Sequence, residues 1–217
     1  MSFAKIAHRI ANIPFIKRQL AGNRFVVRLY FNWRYRNEDP YDVTRSGYEK
    51  EKYARTMEAL SFKDRFASVL EIGCGEGHLT EMLAGRADWV LAADISDLAI
   101  SRAKKKYINL TNVEFRRFDV LNDGLEEKFE LVLCSEVLFY FEKDQLPNVV
   151  ERVAGWTRLG GFVALAHARA LSDDVSGVEL KKFGAKTIHE LFINDARFEV
   201  FSDKEQPEYR ITVVRKK

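Results

Sequence analysis

From Ser68 onward the chain alternates short apolar runs with amphipathic stretches, a pattern that few folds accept. Ser68–Ile72 (SVLEI), Trp89–Asp94, Val113–Phe118, Phe129–Cys134 and Gly161–Ala166 read as strands. Gly77–Ala84, Asp97–Lys106 and residues 143–155 read as the helices between them. Such units cross over with one hand and build a parallel sheet covered on both faces. A helix at Ala185–Asn194 and two strands, about 197–203 and 208–215, close the chain. The short polar link Asp203–Pro207 makes those two strands an antiparallel hairpin. The expectation is a doubly wound α/β domain with a seven-stranded, mostly parallel sheet and an antiparallel last strand.

Two regions precede this pattern. Asp39-Pro40-Tyr41 signals a turn, because Pro40 biases Asp39 out of the helical region. Residues 47–60 then read as a helix with Tyr53, Met57 and Leu60 on one face. We assign it as an N-terminal helical cap on a domain of residues 38–217. Residues 1–37 hold Lys5, Arg9, Lys17, Arg18, Arg24, Arg28, Arg34 and Arg36 and no acid. Those eight charges, against +3 for all 217 residues, leave −5 for the rest. Ile6, Ile10 and Ile13 follow the spacing of one helical face. This basic amphipathic arm suits peripheral contact with an anionic membrane or an acidic partner. The plainer reading is a terminal helix or two docked on the domain. An organelle transit peptide would need more Ser and Thr.

A hydrophobic fraction of 47% and a charged fraction of 31% exclude wholesale disorder. No apolar run approaches the ~20 residues that cross a bilayer, and the N-terminus has no signal-peptide pattern. Two cysteines, Cys74 and Cys134, make no disulfide scaffold and no zinc cluster. A cytoplasmic protein is expected.

Val69-Leu70-Glu71-Ile72-Gly73-Cys74-Gly75-Glu76-Gly77 joins the first strand to the first helix. Gly73, Gly75 and Gly77 allow positive φ and close backbone approach, so the loop can wrap a ligand at the strand's carboxyl end. The dinucleotide fingerprint would place glycine at position 78, where this chain has His78. Asp94 ends the second strand, where a carboxylate can accept both ribose hydroxyls. Asp119 ends the third, where it can meet an adenine amino group while Val120 packs on the ring. Glu71 can fix the loop or orient an ammonium group. Each acid alone could be a cap or an exposed turn residue. Three at successive strand ends point to a nucleoside site.

VLEIGCGEG, AADIS, RFDV, LVLCSEVLFYF and LGGFVALAHA resemble the successive motifs of class I S-adenosylmethionine-dependent methyltransferases over residues 38–217. Asp39-Pro40-Tyr41, Ser46 through Tyr53, and Phe183-Gly184-Ala185-Lys186 resemble the nodulation protein S branch, for which the resemblance implies N-methylation of an amino sugar unit of a chitooligosaccharide. It further implies that Gly73, Gly75 and Gly77 pass under the amino-acid part of the cofactor and that Asp94 holds the ribose, with Ile95 beside the adenine. Asp119 and Val120 would bind adenine, and Ser135 would line the edge near the sulfonium. Tyr48 and Tyr53 would form a lid.

The sulfonium methyl is already electrophilic, so the enzyme must place a nucleophile in line and exclude water. An amine must be neutral to attack, so a proton acceptor helps. Glu136 and Tyr140 after strand four and His167 after strand five are the candidates. His189, on a late helix, reads as structural. The N/D-P-P-Y motif of amino-methylating DNA enzymes is absent after strand four, so nucleic acid is not expected. Metal-assisted relatives need E-x-x-E-H, and Phe139 and Tyr140 stand at those places, so no metal is expected. The rivals are an O-methyltransferase and a non-catalytic cofactor-binding adaptor that works through its basic arm.

Overall fold

A computed structural model describes residues 23–169 and 184–217. Ile6, Ile10, Ile13 and Phe183 lie outside the described residues. The element order is α1 (Arg24–Arg34), α2 (Gly47–Ala59), β1 (Val69–Ile72), α3 (His78–Ala84), β2 (Val90–Asp94), α4 (Asp97–Lys106), β3 (Val113–Arg117), β4 (Phe129–Ser135), a 3-10 turn (Leu138–Tyr140), α5 (Leu146–Trp156), β5 (Thr157–Ala168), α6 (Ala185–Ile193), β6 (Phe198–Glu205) and β7 (Tyr209–Lys216).

The strands form one sheet in the order β3-β2-β1-β4-β5-β7-β6. β1 pairs in parallel with β2 and β4, β2 with β3, and β4 with β5. β7 inserts antiparallel between β5 and β6. This is the doubly wound, mostly parallel architecture expected from the alternation. β1 is buried at every position, as a central parallel strand must be. One apolar layer joins Leu70, Val132 and Leu165 of the sheet to Val149, Val153, Ile188 and Phe192 on α5 and α6. The opposite layer joins Val90, Leu131 and Val213 to Leu79, Leu83, Ile100 and Ala103 on α3 and α4.

Local chemistry sets the helix ends. Ser46 caps α2 by accepting the Glu49 N–H at 3.2 Å, and Ser96 caps α4 by accepting that of Ala99 at 3.2 Å. Each bond satisfies an otherwise orphaned donor. Lys104, Lys105 and Lys106 fill the last turn of α4, where cations complement the helix dipole. β5 is longer than the sequence suggests. It begins at Thr157, directly after α5, and a register shift against β4 carries it past Gly160 at φ +72. No helix among the described residues is long and apolar enough to cross a membrane.

Candidate active site

The carboxyl ends of β1, β2 and β4 meet under α1 and α2 around a cavity of about 220 Å3. Its floor is the glycine loop. Gly73 has φ +79 and Gly75 φ +54, a region that residues with a Cβ avoid. A Cβ on Gly73 would lie 2.7 Å from Val137 Cβ, and one on Gly75 would lie 2.7 Å from the Tyr35 hydroxyl. Asp94 sits beneath this loop. Its Oδ2 accepts the Gly75 N–H at 3.0 Å and its Oδ1 accepts the Ser96 N–H at 2.8 Å. Burial pushes its pKa from 3.8 up to about 6, against the opposing pull of those donors. Glu71, behind the loop, accepts the Thr80 hydroxyl at 2.5 Å. Burial raises it to about 7, and the nearby Asp94 charge adds to the rise.

Ile95, Val120, Phe118 and Phe141 give the cavity apolar walls, and Ser135 completes one side. The Ser135 hydroxyl is buried with no hydrogen-bond partner among the described residues. A buried hydroxyl of this kind calls for a polar ligand. S-adenosylmethionine, the cofactor that the family resemblance implies, fits this donor set. Asp94 offers a carboxylate for hydroxyls, the glycine loop offers bare backbone, and Ser135 offers an unspent hydroxyl.

Asp119 is placed differently from its neighbours. It is buried but is not a cavity wall. Its Oδ1 takes the Arg24 Nε at 2.8 Å and the Leu121 N–H at 3.1 Å, and its Oδ2 takes the Asn122 amide at 2.9 Å. Arg24 belongs to α1, which roofs the cleft. Val27, Phe31 and Tyr35 are buried beneath that roof. Phe31 meets Tyr140 edge-on at 5.0 Å. Arg28 pairs with Asp97 at 2.6 Å, joined by the Asn32 amide at 3.1 Å. The part of the basic segment from Arg24 to Tyr35 is therefore a docked helix. Sequence reasoning missed Arg24, Phe31 and Tyr35 as cleft residues, although Val27, Phe31 and Tyr35 carry a helical spacing.

Glu136, Tyr140, Tyr53 and Glu49 also line the cavity. Glu136 has φ +52, a conformation that costs a non-glycine residue about 1–2 kcal/mol. Its Oε1 accepts the Ala168 N–H at 2.6 Å. Burial holds the Tyr140 hydroxyl far above its usual pKa, and the hydroxyl bonds that of Tyr41. Tyr53 lines the cavity. Tyr48 does not, and packs against Tyr209 at 5.8 Å and over the Lys52 ammonium at 4.8 Å.

His167 does not meet the cavity, which corrects its expected role as a base. Its Nε2 accepts the Leu138 N–H at 3.2 Å, and its Nδ1 faces His189 Nε2 at 3.1 Å. These partners put the His167 proton on Nδ1. His189 Nδ1 then donates to Thr212 Oγ1 at 2.6 Å, and Thr212 donates to Asp203 at 2.6 Å. Every ring nitrogen has a partner in the core, so this imidazole is structural. Asp39, Glu76 and His78 offer ligand atoms within 4.8 Å of one another. Their atoms are already engaged, by Val43 and Thr44, by Arg102 and by Lys106 respectively.

The strand order, the glycine loop and the acid at the end of β2 define the class I methyltransferase fold. Residues 29–200 match the family model of nodulation protein S. The chain belongs to the nodulation protein S family. Nodulation protein S of Azorhizobium caulinodans is 29% identical over 124 residues, which span 57% of this chain and 59% of the relative. Phosphoethanolamine N-methyltransferase 1 of Arabidopsis thaliana is 30% identical over 99 residues, 44% of this chain and 20% of that one. The crystal structure of N-methyltransferase NodS from Bradyrhizobium japonicum, in complex with S-adenosyl-L-homocysteine, superposes with a TM-score of 0.75 at 21% identity, covering 87% of this chain and 97% of that one. The matched stretch thus spans little more than half of the curated nodulation relative.

Proposed function

We propose that this protein is an S-adenosylmethionine-dependent methyltransferase that N-methylates a small polar acceptor, an amino sugar or saccharide-type amine. One observation carries the reading: a single cavity joins the glycine loop, Asp94 and Ser135 to the acidic and phenolic groups Glu136, Glu49 and Tyr140. When bound, the sulfonium supplies an electrophilic methyl group. The chain supplies the rest. Gly73, Gly75, Asp94 and Ser135 would hold the cofactor, with Ile95 and Val120 against its base. α1 and Tyr53 cover the cleft and keep water from the reacting atoms. Glu136 would attract the protonated amine and receive its proton, leaving a neutral nucleophile, and Tyr140 would orient it. No step uses a metal or nucleic acid. We place the protein in the cytoplasm, consistent with buried free thiols at Cys74 and Cys134.

Calorimetric titration with S-adenosylhomocysteine, followed by mass analysis of deacetylated chitooligosaccharide incubated with S-adenosylmethionine, tests the proposal. We expect binding and methyl gain on nitrogen. Methyl gain on oxygen would make it an O-methyltransferase. Binding without transfer to any amine or hydroxyl would favour the adaptor, and no binding ends the methyltransferase reading.

We also propose peripheral membrane contact through residues 1–37. Its support is an outward stripe on α1, where Phe25, Leu29 and Trp33 are 64%, 50% and 43% exposed at i, i+4, i+8 spacing.

A further inference from the structure

A row of polar groups runs from the cavity wall through the core to the edge strand β6. The Leu138 N–H donates to His167 Nε2 at 3.2 Å. His167 Nδ1 faces His189 Nε2 on α6 at 3.1 Å, and His189 Nδ1 faces Thr212 Oγ1 on β7 at 2.6 Å. Thr212 donates to Asp203 Oδ1 on β6 at 2.6 Å. His167, His189 and Thr212 are fully buried. A backbone amide only donates, and an ionised carboxylate only accepts. Arg210 donates to Asp203 at 2.9 and 2.6 Å and holds its carboxyl below the usual range, so the accepting end stays ionised. Burial lowers the His189 pKa, which keeps that ring neutral. Both ends of the row therefore impose one direction. Every proton points toward Asp203, and both imidazoles carry their hydrogen on Nδ1.

The segment at the donating end is cavity wall, since Glu136, Val137 and Tyr140 all line the cleft. The end of β5 holds its start by backbone, through the Ala166 C=O, which accepts the Glu136 N–H at 2.9 Å, and the Ala168 N–H, which donates to Glu136 Oε1 at 2.6 Å. His167 holds the turn that follows. We propose that this row is a one-way hydrogen-bond relay that fixes the turn Leu138–Tyr140, and that His189 and Thr212 are positioning residues for methyl transfer although neither lines the cavity. Its effect on rate rests on the methyltransferase reading given above. Without the Thr212 hydroxyl, the His189 Nδ1–H is left buried with no acceptor there, which is costly. A change of tautomer does not relieve it. A hydrogen on His189 Nε2 would face that on His167 Nδ1, and moving both would set His167 Nε2–H against the Leu138 N–H. The misfit is passed along the row to the turn.

Nitrogen chemical shifts of the labelled histidine rings in the full-length protein read the tautomers. We expect His167 and His189 both with hydrogen on Nδ1, and hydrogen on Nε2 of either overturns the relay. Thr212→Val keeps the residue's shape and strand preference, and Thr212→Ser restores the hydroxyl. With valine we expect the Leu138 amide to exchange about tenfold faster, the measure of one hydrogen bond, while the amides of β4 and β5 keep their rates. We expect kcat for methyl transfer to deacetylated chitooligosaccharide to fall about tenfold or more, the scale on which small displacements of reacting groups act, with the KM for S-adenosylmethionine unchanged. Serine should return both quantities toward wild type. Equal losses with valine and serine, or a valine variant that keeps the Leu138 amide and kcat, overturn the positioning role. If the valine variant does not fold, Asp203→Ala on the exposed edge strand decides. It removes the accepting end of the row, so it should speed Leu138 exchange and lower kcat in the same sense, and no change in either overturns the proposal. A wild type that transfers methyl to no acceptor marks the failure of the underlying reading, and the ring tautomers and the Leu138 amide then decide the relay by themselves.

Discussion

At the residue scale, Asp94 and Glu71 tie stability and ligand binding to pH with opposite signs. Burial raises both above their ordinary values, to about 6 and about 7. A raised acid stabilises the fold fully below its unfolded pKa and loses that contribution as pH rises through the folded one. The cofactor-free protein should therefore melt at progressively lower temperature from pH 4 to 8, with Asp94→Asn flattening the lower part of the slope. Asp203 behaves oppositely, since its bonds to Arg210 hold it low. Its contribution disappears only at acid pH below the usual carboxylate range. Cofactor affinity should rise through pH 6, because the ionised Asp94 is the stronger acceptor. Asp94→Ala should cost about 3 kcal/mol or more, the worth of two charged hydrogen bonds and roughly 100-fold in affinity. Calorimetry across pH checks both trends, and parallel rather than opposed trends would refute the assignment. The placing of Asp94, Gly73 and Gly75 around one cleft was legible, because strand ends and tight turns are written locally, whereas Gly77 caps α3 and is not a cavity wall. The role of His167 was not legible. Its strand position could be read, but whether a strand-end side chain faces the cleft or the core turns on a single residue of register.

At the scale of elements, α1 is where sequence and structure part most. Its chain carries two apolar stripes, Phe25–Leu29–Trp33 and Val27–Phe31–Tyr35, and helical spacing alone gives no reason to prefer one as the inner face. The choice is made by acids 69 to 95 residues away, Asp97 and Asp119, which draw Arg28 and Arg24. Such long-range pairing leaves no local signature. The sheet strands needed no such information, since a parallel core strand is apolar on both faces. β5 ran longer than read because Gly160 and Gly161 look like a boundary, yet the strand passes through them with a register shift. α1 is also a small unit that can open by itself. Phe31→Ala removes its contact with Tyr140. We expect α1 amides to exchange markedly faster while those of β1, β4 and β5 stay protected, and S-adenosylhomocysteine to bind about tenfold more weakly, the measure of one lost apolar contact of about 1.4 kcal/mol. Unchanged affinity would mean that the roof contributes nothing to the ligand.

At the scale of the whole molecule, the charge asymmetry changes meaning once the fold is known. Arg24 and Arg28 are neutralised by Asp119 and Asp97, and Arg34 lies over the Tyr41 ring at 5.1 Å. Of the basic segment's other charges, Arg36 has no ion pair among the described residues, and Lys5, Arg9, Lys17 and Arg18 lie outside them. Each cation near an anionic bilayer is worth about 1 kcal/mol, and the outward Phe25, Leu29 and Trp33 add apolar contact. The protein should co-sediment with vesicles containing anionic lipid, be released by high salt, and ignore zwitterionic vesicles. Trp33 emission should shift to the blue on binding. Replacing Phe25, Leu29 and Trp33 with Asp should abolish sedimentation, and self-association of the wild type through that stripe would identify a second copy as its occupant instead. The opposite face of the same helix roofs the cavity. Whatever steadies α1 on a membrane therefore steadies the roof, and coupling between sites is reciprocal. Vesicle-bound protein should hold S-adenosylhomocysteine more tightly than free protein, and cofactor should tighten vesicle binding by the same factor. Two binding curves measured each way must close that cycle, and independence of the two ligands would separate the membrane face from the site beneath it.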